Sequence, residues 1–554
     1  MHLCAHDGWD HMAIDIQSVS FTYPDGTAPI EDVTFKVPTG SVTALVGPNG
    51  VGKTTMLEIV AGDLAADEGT VRSDTEISYM RQNPGFDNLA GSTVLDALAL
   101  SLPGSLQQVH AELQALYTDA GEGSGMELAH HLDLWQSLGG YDAEAQWDQA
   151  TQAVLGQGLA EASPRKLSEL SGGERKAIIL RSYLASSVQT LILDEPDNFL
   201  DLYSKAWLAA ELKSTSKTVL LVSHDRTLLS DAIDRIVSLE HNGVWTHGAN
   251  YRTFPTARVE RTARLAKDLE AWKSEERRLY RYYKLLKQRA SASEAMASRA
   301  DAAQSRWERF KDAGPPPLPP PQREITTRFE GSRTGKEAVR LTAFEVDGLV
   351  GEFSVTVYNE DRVALLGENG VGKSTFLKAL LTARSADDAR LRFGPTARIG
   401  YFSQDNTIAS DGASLLDVVL PSFRNENDAR SALGRYRLGE HVRHRLDELS
   451  GGQKARVQLL LLERERPNVL LLDEPTDNLD LESILVIEEA LVDLDATLLA
   501  ITHDAMFTRV FNRFLLFDGD GVVAEAPTRG TALELASRRG LSLLSESGIT
   551  ILSI

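Results

Sequence analysis

The sequence predicts an α/β fold in which two copies of one strand–loop–helix domain stand in tandem, joined by an α-helical hairpin. Three observations predict it. First, the same words recur in the same order: GPNGVGKT (47–54) returns as GENGVGKS (367–374), LSGGE (170–174) as LSGGQ (449–453), LILDEP (191–196) as LLLDEP (470–475) and VSHD (222–225) as ITHD (501–504). Second, each glycine-rich word lies between a short apolar run of strand character (SVTALV, DRVALL) and a helical run (TMLEIVAGDL, TFLKALLTAR). Third, apolar residues between the copies recur at alternating steps of three and four.

Bulk properties bound the reading. A chain of 554 residues exceeds one hydrophobic core, and 42% hydrophobic with 25% charged residues is a globular composition. Cys4 stands alone, so neither an internal disulfide nor a cysteine zinc site can form within the chain. No run reaches the roughly 18 apolar residues of a membrane span. MHLCAHDGWDH has no basic stretch followed by an apolar one, so a cytoplasmic protein is expected. The net charge of −22 argues against general nucleic-acid binding. Its distribution qualifies that: residues 252–311 hold 16 Lys/Arg against 8 Asp/Glu, a net of +8, which leaves −30 for the rest.

Taken in order, residues 1–11 read as an extension before the strand-like AIDIQSVSF, and the first domain is assigned to 12–250. The spacings of the repeated words agree: Ser171 to Asp194 and Ser450 to Asp473 are both 23 residues, and Asp194 to His224 and Asp473 to His503 are both 30. One interval differs. Gln82 to Ser171 is 89 residues while Gln404 to Ser450 is 46, so the first copy carries 43 more. GSLQQVHAELQALY and MELAHHLDLWQSL, divided by GEGSG, predict a helical, arm-like insertion at about 101–145. The linker is assigned to 251–325 and the second domain to 326–554.

The repeated words carry phosphate chemistry. The glycines of Gly47, Pro48, Asn49, Gly50, Val51, Gly52 and of Gly367, Glu368, Asn369, Gly370, Val371, Gly372 let backbone N–H groups turn inward around phosphates. The helices that follow, opening with Thr55 and Thr375, aim their positive ends at the same charge. Lys53 and Lys373 are expected to reach the β- and γ-phosphates, and Thr54 and Ser374 to ligate Mg²⁺. Asp194 and Asp473 end apolar strands where a carboxylate can serve the metal's shell; Glu195 and Glu474 follow, where a carboxylate can orient and deprotonate water.

The LSGG words make the likeness specific. The chain resembles ATP-binding cassette (ABC) proteins: an α/β fold of two P-loop ABC-type nucleotide-binding domains in tandem, hydrolysing ATP with Mg²⁺. The resemblance implies that the copies pair head to tail, each ATP lying between one P-loop and the opposite LSGG. Site one then comprises Tyr23, Lys53, Thr54, Gln82, Asp194, Glu195 and His224, closed by Ser450, Gly451, Gly452 and Gln453. Site two comprises Lys373, Ser374, Gln404, Asp473, Glu474 and His503, closed by Ser171, Gly172, Gly173 and Glu174. The resemblance makes the histidines γ-phosphate switches, Gln82 and Gln404 metal-shell residues, Asp201 and Asp480 D-loop aspartates, and Tyr23 the aromatic that stacks on adenine. The second copy has no clean equivalent of Tyr23; Phe344 is the nearest candidate.

Two cassettes without a membrane domain and with a charged helical linker resemble the ABC-F subfamily, whose members act on the ribosome rather than moving solutes; with the cassette pair formed within one chain, a monomer is expected. The family commonly reads DEPTNHLD after the strand. These copies read DEPDNFLD (194–201) and DEPTDNLD (473–480), with Asp197, Phe199, Asp477 and Asn478 departing from it.

Within the linker, Leu265, Leu269, Trp272, Leu279, Tyr283 and Leu286 form one seam, with Glu276 in its polar slot; Met296, Ala300, Ala303, Trp307 and Phe310 form another. The polar stretch 287–295 is the expected tip of an antiparallel hairpin. Approaching it, Arg277, Arg278, Arg281, Lys284, Lys287 and Arg289 occur with no acidic residue between them, and Tyr280, Tyr282 and Tyr283 are interleaved. Arginine forks bind phosphates and tyrosines stack on bases, so this face is an RNA-contact candidate; a solvated helix face with packed tyrosines is the alternative. GPPPLPPP (314–321) is expected to be an extended spacer. The ABC-F resemblance implies ribosome binding near the exit-tRNA site, with contacts to peptidyl tRNA and rRNA, in translation control or in antibiotic resistance by ribosome protection. An ATPase subunit for a separate membrane partner and a DNA-directed ABC ATPase stand as alternatives.

Overall fold

The computed structural model describes residues 12–83, 91–118, 125–240, 243–289, 294–319, 335–386, 388–403, 412–477, 479–492, 494–540 and 542–553. Residues 1–11, most of the GEGSG turn, residues 290–293 of the expected hairpin tip, the end of the proline-rich spacer, Gln404 and Asn478 therefore lie outside the described residues.

Each half is built on one plan. In the first, the order of strands across the main sheet is Ile77–Met80, Thr190–Asp194, Thr218–Val222, Val42–Val46, Arg235–Glu240, Gly243–His247. All neighbours are parallel except the last pair. In the second, Ile399–Phe402, Val469–Asp473, Thr497–Ile501, Arg362–Gly367 and Arg513–Phe517 repeat that order, and Val523–Ala526 and Thr550–Ile551 extend the edge. The central strands VTALV, TLILD and TVLLV are buried at every residue. That is the pattern of parallel strands covered on both faces, and it explains why they read as apolar runs rather than alternating ones. A smaller antiparallel sheet packs beside each: Ile30–Pro38, Met12–Phe21 and Glu68–Ser73 in the first half, Val350–Tyr358, Glu337–Val346 and Leu391–Phe393 in the second.

Helices Gly104–Thr118 and Gly125–Ser137 occupy the region of the first half's extra residues. Trp135 and Trp147, each 2% exposed, tie them to the first core together with Leu106, Val109 and Leu113. Trp135 Nε1 donates to Glu144 Oε1 at 3.0 Å, and a Cβ at Gly140 would collide with its ring, so only glycine fits there.

Helices Phe254–Arg289 and Glu294–Asp312 lie antiparallel between the halves' chain positions. At about 1.5 Å per residue the first is roughly 54 Å long. The seam is aromatic: Trp272 stacks on Phe310 at 5.5 Å and Tyr283 on Trp307 at 6.0 Å. Glu276, the one polar residue of the heptad pattern, accepts from Trp307 Nε1 at 2.7 Å. Leu279, Leu286, Ala300 and Ala303 are buried between them.

Candidate active sites

Each glycine-rich loop joins a buried strand to a helix. Gly52 and Gly372, at φ 97° and 95°, take the left-handed conformation that ends the loop and starts the helix. A Cβ at Gly372 would press on Leu349, and one at Gly52 on Pro29. Lys53 Nζ donates to Gly47 O at 2.9 Å and Pro48 O at 3.1 Å; Lys373 Nζ donates to Gly367 O at 3.0 Å and Glu368 O at 2.6 Å. Both ammonium groups are buried, which lowers their pKa, to about 8 for Lys373. Thr54 Oγ1 donates to Asp194 Oδ2 and Ser374 Oγ to Asp473 Oδ1, each at 2.9 Å. Asp194 Oδ1 is buried without a partner among the described residues. Burial, and then the neighbouring Glu195 carboxylate, raise the Asp194 pKa to about 6.

The glutamates that follow are held in an uncommon backbone conformation in both halves: φ is 46° at Glu195 and 48° at Glu474. Such strain costs about 1–3 kcal/mol per residue and persists where surrounding structure enforces it. Glu195 N donates to Val222 O and Glu474 N to Ile501 O, which pins both turns to the next strand. His224 Nε2 lies 3.9 Å from Glu195 Oε1, and His503 Nε2 lies 3.8 Å from Glu474 Oε1. All four ring nitrogens are buried and unpartnered among the described residues. Burial and the adjacent lysine hold both imidazoles neutral, His224 at about 3 and His503 well below the ordinary value.

The two glutamates differ in their neighbours. Gln82 Nε2 and Asn198 Nδ2 both donate to Glu195 Oε2, each at 2.5 Å. Where the first half has Asn198 the second has Asp477, and burial followed by that second carboxylate raises Glu474 to about 9. Asp477, one of the departures from the family word, therefore falls at the site itself.

Across the middle, the halves meet head to tail. Asn49 N donates to Asp480 Oδ2 at 3.1 Å, and Asn369 N to Asp201 Oδ2 at 3.3 Å. Asn369 Nδ2 donates to Phe199 O at 2.9 Å. A Cβ built on Gly452 would lie 3.6 Å from Asn49 Nδ2, and one on Gly173 3.1 Å from Asn369 Nδ2. Each P-loop thus faces the opposite half's LSGG segment. Ser171 and Ser450 each cap the helix that begins with the LSGG glycines.

These contacts, strand orders and repeated words belong together in one family. The sequence profile described as ABC transporter matches residues 30–198 and 350–477. The chain belongs to the ABC family, as a tandem-cassette ATPase of the ABC-F type. This ABC-F protein is 38% identical over 550 residues to an "Antibiotic resistance protein" of Mycobacteroides abscessus, covering 93% of the chain and 98% of the relative. It is 30% identical over 512 residues to the "Probable ATP-binding protein YbiT" of Escherichia coli O157:H7, covering 88% and 93%. Among solved structures, the archaeal ribosome recycling factor aABCE1, in complex with the ribosomal stalk protein aP1, shares the fold with a TM-score of 0.55. The identity there is 18%, with 91% of this chain and 87% of that one covered. Cassettes of this family hydrolyse ATP, generally with Mg²⁺. No helix among the described residues is long and apolar enough to cross a membrane.

One expectation needs correction. Phe344 is no adenine-stacking residue: it is 2% exposed and packs edge-on to Phe376 at 6.0 Å inside the second core. The cause is a shorter loop. Tyr23 stands on the excursion 22–29 between Phe21 and Ile30, whose hydroxyl bonds Thr55 Oγ1 at 2.8 Å, whereas only residues 347–349 join Val346 to Val350. Other residues escaped sequence reasoning. Arg226, 1% exposed, donates across the interface to both oxygens of Glu488, at 2.8 and 2.7 Å, and to Asp504 Oδ2 at 2.8 Å. Lys205 pairs with Asp225 at 3.1 Å; burial opposes its charge, but Asp225, Asp477, Asp197 and Asp504 around it raise its pKa. The signal was present as an asymmetry, since the second copy has Ala505 and Ile484 where the first has Arg226 and Lys205.

Proposed function

We propose that this ATPase is a ribosome factor: ATP closes the cassettes, the linker hairpin engages tRNA and rRNA near the exit-tRNA site, and hydrolysis releases it. One observation carries the reading. The basic face of the long helix is presented to solvent while its base is tied into nucleotide site one. Arg277, Arg278, Arg281, Lys284, Lys287 and Arg289 are all exposed, as is Tyr282; Tyr280 leans on Trp307 yet stays 38% exposed. At the base, Arg258 pairs with Glu482, two residues beyond the Asp480 that holds Asn49 of the first P-loop. Arg261 pairs with Glu240 of the first cassette at 3.0 Å. A change of the P-loop contact therefore pulls on the helix that carries the basic face.

In site one, Lys53 turns from the loop carbonyls to the β- and γ-phosphates, Tyr23 receives the adenine, and the Ser450 segment closes over the γ-phosphate. Thr54 and Asp194, a hydroxyl and a partly unpartnered carboxylate, are the hard oxygen donors that suit Mg²⁺. The metal, when bound, neutralises charge on the phosphates. Glu195, oriented by Gln82 and Asn198, accepts a proton from the attacking water, and neutral His224 contacts the γ-phosphate. Lys373, Ser374, Asp473 and His503 repeat these roles in site two, and Glu474 stands where Glu195 does, serving as the base only once its raised pKa is passed.

Within this reading, the name of the 38% identical relative favours antibiotic resistance by ribosome protection. The deciding test changes Glu195 and Glu474 to Gln, adds ATP and sediments the protein with ribosomes. Stable co-sedimentation is expected, weakened by neutralising Arg277, Arg278, Arg281 and Lys284 and steeply dependent on salt. Pelleting with membranes but not ribosomes would support a transporter subunit instead, and preference for branched DNA would support a DNA-directed enzyme.

A further inference from the structure

The two LSGG helices are capped by different chemistry. In the first cassette, Glu174 Oε2 accepts from Ser171 N at 2.8 Å and from Ser171 Oγ at 2.7 Å. In the second, Gln453 Oε1 accepts from Ser450 N at 2.8 Å, and Ser450 Oγ accepts from Gln453 N at 3.3 Å. A glutamine cap is neutral and has an amide to place. That amide lies 3.0 Å from His441 Nε2, and His441 Nδ1 lies 3.1 Å from His444 Nδ1.

The donors and acceptors in this chain have one consistent arrangement. A backbone N–H can only donate, so the atom facing Ser450 N is the Gln453 oxygen and the atom facing His441 is its NH₂. His441 Nε2 must then carry no proton. In the neutral ring its proton is on Nδ1 and is donated to His444 Nδ1, whose own proton sits on Nε2. A second proton on His441 would turn Nε2 into a donor facing a donor. The Gln453 amide would have to rotate, taking its oxygen away from Ser450 N.

We propose that His441 is a positioning residue for nucleotide site one, holding the Ser450 segment through Gln453, and that protonation of its imidazole releases that hold. This rests on the head-to-tail site reading above, in which Ser450 closes over the nucleotide of the first P-loop. The charged groups facing His441 are His444 and Glu440 on its own turn and Arg456 on the LSGG helix. Burial, then His444, lower its pKa; Glu440 opposes this and Arg456 adds to it. The ring therefore gains its proton only at a pH below the ordinary imidazole value. Site two has no such element. Counting from the two serines, Ala162 and Arg165 stand where the second cassette has His441 and His444. Acid therefore loosens site one and spares the closure of site two.

The test uses the full-length protein and steady-state ATP hydrolysis from pH 5.5 to 8. His441→Gln offers an oxygen that accepts from the Gln453 amide and does not titrate. Its kcat/KM relative to wild type is expected to be near one at pH 8 and to rise several-fold at pH 5.5; the ratio cancels the titration of ATP itself. His441→Ala, with no acceptor, is expected to raise KM for ATP about fivefold at pH 8, the worth of roughly 1 kcal/mol for one hydrogen bond, with kcat less affected. Matching melting temperatures confirm that both variants fold. A ratio that stays flat across the range, or an unchanged KM in His441→Ala, overturns the proposal. Ser450→Arg serves as the separate control: full ATPase activity in that variant would overturn the paired-site reading itself.

Discussion

Glu195 and Glu474 occupy matching turns at matching positive φ, yet the residue three positions on separates their chemistry. Asn198 offers Glu195 an N–H, while Asp477 sets a second carboxylate beside Glu474. A carboxyl raised to about 9 is uncharged at pH 7 and becomes a base only as pH rises. Asp477→Asn is expected to increase turnover at site two several-fold at pH 7 and to move the rising limb of its pH–rate profile toward acid. The measurement is ATP hydrolysis in a Glu195→Gln background. An unchanged profile would mean that Asp477 does not govern Glu474. Asp197 departs from the family word in the other cassette, and there the partner is legible: Lys205 lies among Asp197, Asp225, Asp477 and Asp504.

At the scale of elements, the hairpin shows how far a periodic pattern reaches. Steps of three and four identified both helices and their seam, because side chains one turn apart share a face. The pattern did not distinguish the three tyrosines. Tyr283 is 7% exposed and stacked on Trp307, Tyr280 covers that ring from outside, and Tyr282, 56% exposed, alone stands clear. Trp307 is the hub, since it also donates to Glu276. Trp307→Ala is expected to destabilise the helix pair by about 3 kcal/mol. Hydrogen exchange of Glu294–Asp312 should then accelerate markedly while the Val42–Val46 strand stays protected. Equal protection in Trp307→Ala and the wild type would show that the seam does not depend on this residue.

For the whole molecule, a buried charge cluster adds to the P-loop contacts that pair the cassettes. Arg226 and Arg509 converge on Glu488, which is 4% exposed, and Arg226 also holds Asp504. Removing Arg226 takes away three charge-assisted hydrogen bonds and leaves buried Glu488 with Arg509 alone, so Arg226→Ala should cost about 3 kcal/mol in thermal or denaturant unfolding. The cluster also sets an acid limit. Burial pushes the Glu488 pKa up, but Arg226 and Arg509 outweigh it and hold the group below its ordinary 4.5. A carboxylate lowered in the folded state stabilises above its unfolded value, and that contribution disappears as pH falls through the folded one. Small-angle scattering from pH 6 to 3 should show the cassettes separating in acid, and at higher pH in Arg226→Ala than in wild type.

The repeated words determined the α/β plan, the number of cassettes and which P-loop and LSGG residues the fold brings face to face, because those loops need particular side chains at fixed short range. They also marked Asp197 and Asp477 as departures. What those departures touch was decided only by the tertiary structure. Lys205 and Asp477 are 272 positions apart, and Arg226 and Glu488 are 262 apart. Phe344 matched by residue type, but the short loop before Val350 left it in the core. His441 carried no motif at all. Its role arises from a hydrogen-bond chain whose polarity is set by one backbone N–H, and such directionality exists only once the donors and acceptors have been brought face to face.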